Sequence, residues 1–321
     1  MTTAFPNAQA ALAFVTDQTY NIATNVERAE YPEIDLNDLV VIETAGDPWA
    51  NGVTTYTLDG VGQARWYNGG SNTMPMSEIQ KGRTDFPFDL GALGYEFNLE
   101  EVNKARIAGI NISDEKAYFA RQGAEQFIYY VGLLGDTLTQ RGGLINNPGI
   151  VQGNAAAVGT GNGAVAGTPA SILWNNKTPE QVLADLNGLI VAPYNASNQI
   201  LMADTVLLPF TAWQSLTIRV LPGTSQTLLD FILKANAYSQ RTGQPLKIRG
   251  IRELETAGAG GTRRMIAYAR NGRVAKFHMP MPFQFQPVWQ NGPINWMVPG
   301  LFRIGGTDWI RPASATYADG F

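Results

Sequence analysis

The sequence predicts an α+β fold, with strand and helix signals falling in separate stretches of the chain rather than alternating. Three observations carry this reading. Two β-prone runs, Gly52–Leu58 and Val61–Tyr67, lie near the start. The clearest helical signals follow one another between Asn98 and Asp136, and from Val274 onward the chain is strand-like and rich in proline and aromatic residues. At 321 residues, 45% of them hydrophobic, the chain can build one large domain or two modest ones.

The first segment, residues 7–41, mixes the apolar stretch Ala10–Val15 with Glu27, Glu30, Glu33 and Asp35, and Pro32 interrupts it. A short helix followed by an extended arm is expected there. The two β-prone runs flank Asp59-Gly60, a dipeptide that supplies the positive φ angles of a tight type I′ turn, so they read as a hairpin. Val53, Thr55 and Thr57 alternate with Thr54, Tyr56 and Leu58, which gives neither face enough apolar surface for a core. Such a hairpin is marginal alone and must find its packing elsewhere. Asn68–Asp85 reads as an irregular loop.

Asn98 with Glu101 forms an Asn-x-x-Glu capping box ahead of a helix over Val102–Ala108, ended by Gly109 and Asn111. Ser113, followed by Asp114 and Glu115, caps a longer helix running to Asp136. Ala117, Ala120, Ala124, Phe127, Val131 and Leu134 recur at alternating intervals of three and four. They form one apolar stripe along a rod of about 30 Å, the predicted core side of a spine helix. Gln122 falls on the opposite face, and the early alanines allow a neighbouring element to approach closely. Gly142–Gly153 is turn-rich, and Asn154–Ala170 is a Gly/Ala/Thr stretch expected to form a flexible loop. Thr178-Pro179-Glu180-Gln181 combines an N-cap, a first-turn proline and a Gln at the third helical position. That helix, to about Ile190, buries Val182, Leu183, Leu186, Leu189 and Ile190. Ile200–Leu208 reads as a strand stopped by Pro209. Ser225–Gln240 reads as an amphipathic helix through Leu228, Leu229, Ile232 and Ala235, and Leu246–Ile251 and Arg264–Ala269 as strands joined through Ala257–Gly261.

Composition narrows the function. Charged residues are 16%, against roughly 25% in an average domain; a surface covered by other subunits would account for this, because interface cores are depleted in Lys, Glu and Asp. A net charge of −4 argues against a nucleic-acid binder and fits a container wall. Zero cysteines exclude disulfides and thiolate metal sites and suit assembly in a reducing cytoplasm. The first residues lack the basic and apolar regions of a signal peptide, and no apolar run approaches the ~18–20 residues needed to span a membrane.

Catalytic and cofactor motifs fail in turn. His278 is the only histidine, so a metal site would need carboxylates alone, and none are clustered at ligand spacing. A Ser-His-Asp arrangement would have to use His278, but no Gly-x-Ser-x-Gly elbow occurs; His278 is expected to be a structural strand residue. Gly161-x-Gly163-x-x-Ala166 lacks the strand before and the helix after that a dinucleotide fingerprint needs. Arg249, Arg252, Arg263 and Arg264 are scattered positives, and Glu100 and Glu101 are helix N-terminal charges. No catalytic residue, metal or cofactor is expected, and the chain is not expected to be an enzyme.

The order of these features, with GLINNPGI at Gly143–Ile150, ADTVLLP at Ala203–Pro209, GGTDWIRPA at Gly305–Ala313 and YADG at Tyr317–Gly320, resembles a family of bacteriophage major capsid proteins. Its members have the Hong-Kong-97-type fold, shared by tailed-phage capsids and encapsulin shells. The resemblance implies an N-arm over residues 1–45, an extended loop over 46–85 and a peripheral domain over 86–172 with its spine helix at 113–136. It further implies an axial domain over 173–276 and a return to the peripheral domain over 277–321. Thr54, Tyr56, Asp59, Gly60 and Trp66 become candidates for an assembly interface. The implied function is a subunit that self-assembles, as hexamers and pentamers, into the icosahedral head of a tailed phage. Its partners would be a portal, scaffolding or decoration proteins, and packaged DNA bound without sequence specificity; no membrane is involved. The protein would reside in the virion after assembly in the host cytoplasm. An encapsulin-type nanocompartment is the alternative within the same fold. A carbohydrate-binding or hydrolytic protein is a remoter one. It would need a Trp/Tyr-rich surface, yet Trp49, Trp66, Trp174, Trp213, Trp289, Trp296 and Trp309 do not cluster in sequence.

Overall fold

A computed structural model describes residues 36–64, 66, 76–108, 112–154 and 173–321 of the chain. The helix expected within residues 7–35 and the glycine-rich loop at 155–172 lie outside the described residues. Where an extended arm was expected to continue to Val41, a one-turn helix, Leu36–Leu39, leads into β1 (Val41–Glu43). Next come β2 (Gly52–Val61), β3 (Glu78–Pro87), β4 (Asp89–Ala92) and β5 (Tyr95–Asn98). Helix Leu99–Ala108 and the spine helix Ile112–Leu134 follow, then the small hairpin β6 (Gly135–Asp136) and β7 (Arg141–Gly142), and β8 (Val151–Asn154).

The next stretch carries helix Pro179–Ala196, β9 (Thr205–Pro209), helices Phe210–Ile218, Leu228–Ala235 and Ala237–Thr242, β10 (Lys247–Ile251) and β11 (Arg264–Tyr268). The last part is strand except for a short 3-10 helix at Pro312–Ser314: β12 (Ala275–His278), β13 (Met281–Phe285), β14 (Trp289–Gln290), β15 (Asn295–Val298), β16 (Gly300–Ile304), β17 (Gly306–Trp309) and β18 (Ala315–Asp319).

Local chemistry explains most helix starts. Thr178 accepts from the Gln181 N–H while the Gln181 side chain accepts from the Thr178 N–H, the full capping box read from the sequence. Asn98 caps its helix by accepting from the Glu100 N–H at 3.0 Å, and the helix begins at Leu99, ahead of the expected Val102. Glu101 turns to Lys116 on the spine helix at 2.7 Å. The spine helix begins at Ile112, so Ser113 is its second residue and not its cap. The helix expected over Ser225–Gln240 is broken at Asn236. The Asn236 side chain donates to the Ile232 and Leu233 carbonyls and accepts from the Ser239 N–H, so it ends one helix and starts the next.

A five-stranded sheet, ordered β10-β9-β11-β18-β8, organises the interior. Its central strands β9 and β11 are buried along their whole length. Successive side chains point to opposite faces, and the two faces feed two cores. Leu207, Ile266, Tyr268 and Tyr317 enter the core that contains Ala124, Ile128, Val131 and Leu133 of the spine helix. Val206, Leu208, Met265, Ala267 and Ala318 enter the core under helix Pro179–Ala196, with Val182, Leu186 and Ile190.

In the last part of the chain β18 lies between β11 and β8, and Phe321 is buried in the second core. An ion pair cross-links β11 and β18, with Asp319 accepting from Arg264 Nε and Nη2 at 2.7 and 2.8 Å.

Candidate assembly surfaces

The assembly candidates fall on a ribbon, but not on the hairpin expected. β2 continues straight through Asp59 and Gly60 and pairs antiparallel with β3, in a register running from Gly52↔Pro87 to Val61↔Glu78. Asp59 faces Gln80 and Gly60 faces Ile79, so Asp59-Gly60 is mid-strand and Gly60 has no left-handed backbone. Val61–Tyr67 is not the partner strand, and part of the expected irregular loop, residues 78–85, is. Cross-strand chemistry selects this register. Thr54 Oγ1 donates to Asp85 at 2.7 Å and Lys81 Nζ lies 3.9 Å over the Tyr56 ring, while Arg83 pairs with Asp85 along β3 itself at 2.9 Å. The Arg83 and Thr54 hydrogen bonds hold the Asp85 carboxyl below the usual carboxylate range.

The ribbon is exposed along nearly all of β3, and Tyr56, Leu58, Ile79 and, beyond the paired residues, Trp66 stand in solvent. Thr54 and Gly60 are also exposed. The structure thus brings Thr54, Tyr56, Asp59 and Gly60 onto one strand, with Trp66 past its end.

The root of the ribbon packs on the body, with Phe88 buried and Phe86 half-buried. Phe86 and Phe88 lie against the His278 ring at 5.3 and 5.8 Å, and a Cβ on Gly305 would sit 2.8 Å from Phe88 and 3.0 Å from Phe86. His278 Nε2 lies 3.3 Å from Asp308, at the end of strand β12. No group of three or more His, Cys, Asp or Glu that could hold a metal occurs among the described residues.

The spine stripe is partly shifted from expectation. Ala120, Ala124 and Val131 are buried and Ala117 is half-buried, but Phe127 is 51% and Leu134 37% exposed. At about 100° per residue, burial centred on Ala124 and Ile128 leaves Phe127 and Leu134 at the rim. Phe127 keeps one ring contact, with Phe302 at 5.8 Å. Gln122 is half-buried and does not lie on a fully solvated face.

Burial of Ile128 and Leu133 was not foreseen, and the passage after the helix explains the second. Leu144 and Ile145 donate to the carbonyls of Gly132 and Leu133 at 2.9 and 3.0 Å, and Thr307 adds a bond to Gly132 at 2.7 Å. The GLINN passage therefore satisfies the open carbonyls at the end of the spine helix. It also receives Tyr317 on Leu144 at 2.7 Å and Arg264 on Ile145 at 2.8 Å, which ties it to the sheet.

Residues 62–321 match the family described as Major capsid protein. The fold is similar to that of a chain from the capsid of Myoviridae phage XM1, with a TM-score of 0.76 and 18% identity over 100% of both chains. It is also similar to a capsid chain of the native GTA particle, with a TM-score of 0.62 and 11% identity over 94% of both chains. A chain from Microbacterium phage Oxtober96 aligns over 98% of this chain and 99% of its own, at 13% identity and a TM-score of 0.59. No curated protein matches the chain. These likenesses bear out the α+β, Hong-Kong-97-type fold. The match over residues 62–321, more than half of the chain, establishes that the chain belongs to the major capsid protein family.

Proposed function

We propose that this capsid shell protein closes an icosahedral phage head by reaching from each subunit onto its neighbour with the β2–β3 ribbon. The observation that carries this is a long, hydrogen-bonded ladder with almost no burial of its own, anchored at one end by Phe86 and Phe88. A lone two-stranded ribbon is marginal in water, so its outer half needs a surface the subunit does not supply. On this reading residues 46–85 are the extended loop and the spine helix lies in the peripheral domain. The helices and loops of residues 173–276 meet at the centres of hexamers and pentamers. Residues 1–45 form the arm.

The protein works by assembly and not by catalysis, with a portal, scaffolding or decoration proteins as partners and DNA enclosed without sequence-specific contacts. The virion is its destination and the host cytoplasm its place of assembly. No helix among the described residues is long and apolar enough to cross a membrane. Membership of the major capsid protein family, with a fold like that of phage capsid chains, favours a head shell over a nanocompartment.

The test replaces residues 54–85 by a short Gly/Ser linker, which leaves the Phe86 and Phe88 anchor in place. Loop-closure entropy changes only slowly with length, so the subunit should keep its helix content and melting temperature. Electron microscopy should then show no closed shells, or shells that dissociate readily. Intact, stable shells would remove the ribbon from assembly, and loss of the fold would make it part of the core.

A further inference from the structure

Arg141 lies in β7, just past the end of the spine helix, and its side chain is only 11% exposed. It makes contacts in three directions. Nη1 donates to the Gly305 carbonyl at 2.8 Å and reaches that of Ile304 at 3.4 Å, at the turn between β16 and β17. Nη2 pairs with Asp89 at 2.6 Å, two residues past the end of β3. The guanidinium also lies 5.8 Å from the centre of the Phe86 ring. One side chain thus joins the end of the spine, the last strands and the exit of the ribbon.

The ribbon root is held by the two Phe rings, by β4 where Asp89 pairs with Ile304 of β16, and by Arg303 on Pro48 and Asn51; packing on a ring edge alone permits rotation. A planar, forked donor does not, because its two arms must satisfy a carbonyl and a carboxylate at fixed angles at once. We propose that Arg141 is the positioning residue that fixes the direction in which the β2–β3 ribbon leaves the body. It thereby sets where the ribbon meets the next subunit. The second half of this statement rests on the reading of the ribbon as an assembly element; the first half does not.

The experiment uses the full chain, which has no cysteine of its own, so paired labels can be placed without background. Spin labels go on Leu58→Cys, exposed on the ribbon, and Glu125→Cys, exposed on the spine helix. Their separation is measured in dilute, unassembled subunits. The parent should give one narrow distance distribution. Arg141→Gln should broaden and shift it while circular dichroism stays unchanged, and Arg141→Lys, which keeps the charge but not the fork, should fall between. Should Arg141→Gln fail to fold, Asp89→Asn, on a half-exposed partner, should give the same broadening in a folded subunit. A distribution identical to the parent's in the folded variants overturns the assignment. Electron microscopy of the same proteins, beside the linker replacement, separates the two halves. Arg141→Gln should yield misclosed or heterogeneous particles. Normal shells from a subunit with a broadened distribution would overturn the link to assembly and leave the positioning role standing.

Discussion

Asp319→Ala should be among the most damaging single changes in the chain. Arg264 and Asp319 side chains are 4% and 6% exposed and bonded through two parallel contacts. Arg264 also donates to the Ile145 carbonyl and lies over the Tyr317 ring, at 4.7 Å from its centre. Asp319 accepts a further bond from the Ala259 N–H at 3.0 Å. Truncation leaves a guanidinium in the sheet interior without its counter-charge, which costs about 3–5 kcal/mol. The orphaned Ala259 N–H adds about 1 kcal/mol, for a total of about 4–6 kcal/mol. Asp319→Asn keeps the shape and one acceptor and should lose roughly half as much. The double variant Arg264→Met with Asp319→Leu removes both charges and should regain most of the loss, because an apolar replacement of a buried pair is often neutral. Urea titration of unassembled subunits, followed by far-ultraviolet circular dichroism, reads these differences as midpoint shifts. A cost below about 1 kcal/mol for Asp319→Ala, or a double variant no better than the single, would refute the reasoning.

Three further outcomes follow from the same geometry. Gly143→Ala should be severe, since a Cβ there would lie 2.0 Å from the Leu133 carbonyl oxygen, whereas Gly188→Ala, on an exposed helix face with nothing within 4 Å, should gain about 0.5–1 kcal/mol in a denaturant titration. Ile128→Ala should cost about 2–5 kcal/mol, and Phe127→Ala clearly less in the unassembled subunit; equal losses would show that the spine is rotated from the observed register. Burial raises the pKa of Tyr268 and of Tyr317 above the ordinary tyrosine range. Their stabilising effect is therefore complete at neutral pH. It declines once the unfolded state begins to ionise near pH ~10 and is lost as pH rises through the folded values. Unfolding midpoints between about pH 9 and 11 should fall less steeply in Tyr268→Phe and Tyr317→Phe, and an unchanged slope would count against it.

The legible parts of the fold were those decided within a few residues. The Thr178 box, the strands around Leu207, Ile248 and Ile266, and the existence of a spine all follow from local capping, propensity and periodicity. The errors lie where a distant partner outranks a local preference. Asp59-Gly60 is a sound turn signal, yet β3 offers Tyr56 a lysine and Thr54 a carboxylate, and the chain extends to take them. Phe127 fits an ideal stripe as well as Ile128 does. The choice is made by β17 and the GLINN passage, whose packing on the end of the helix sets its rotation. The break at Asn236 was readable, since an Asn in mid-helix competes for its own backbone. Arg141 was not, because its partners lie far along the chain in both directions.

The ribbon has a further consequence for the life of the subunit before it finds its neighbours. Among the described residues β2 and β3 pair only with each other, and an unpaired strand edge is a template on which extended segments of other chains can stack into aggregates. The exposed charges Glu78, Lys81, Arg83 and Asp85 along β3 oppose this, because stacking would strip them of water and bring like charges into line with each copy added. Neutralising them should turn a waiting pool of subunits into fibrillar precipitate, even with every core contact intact.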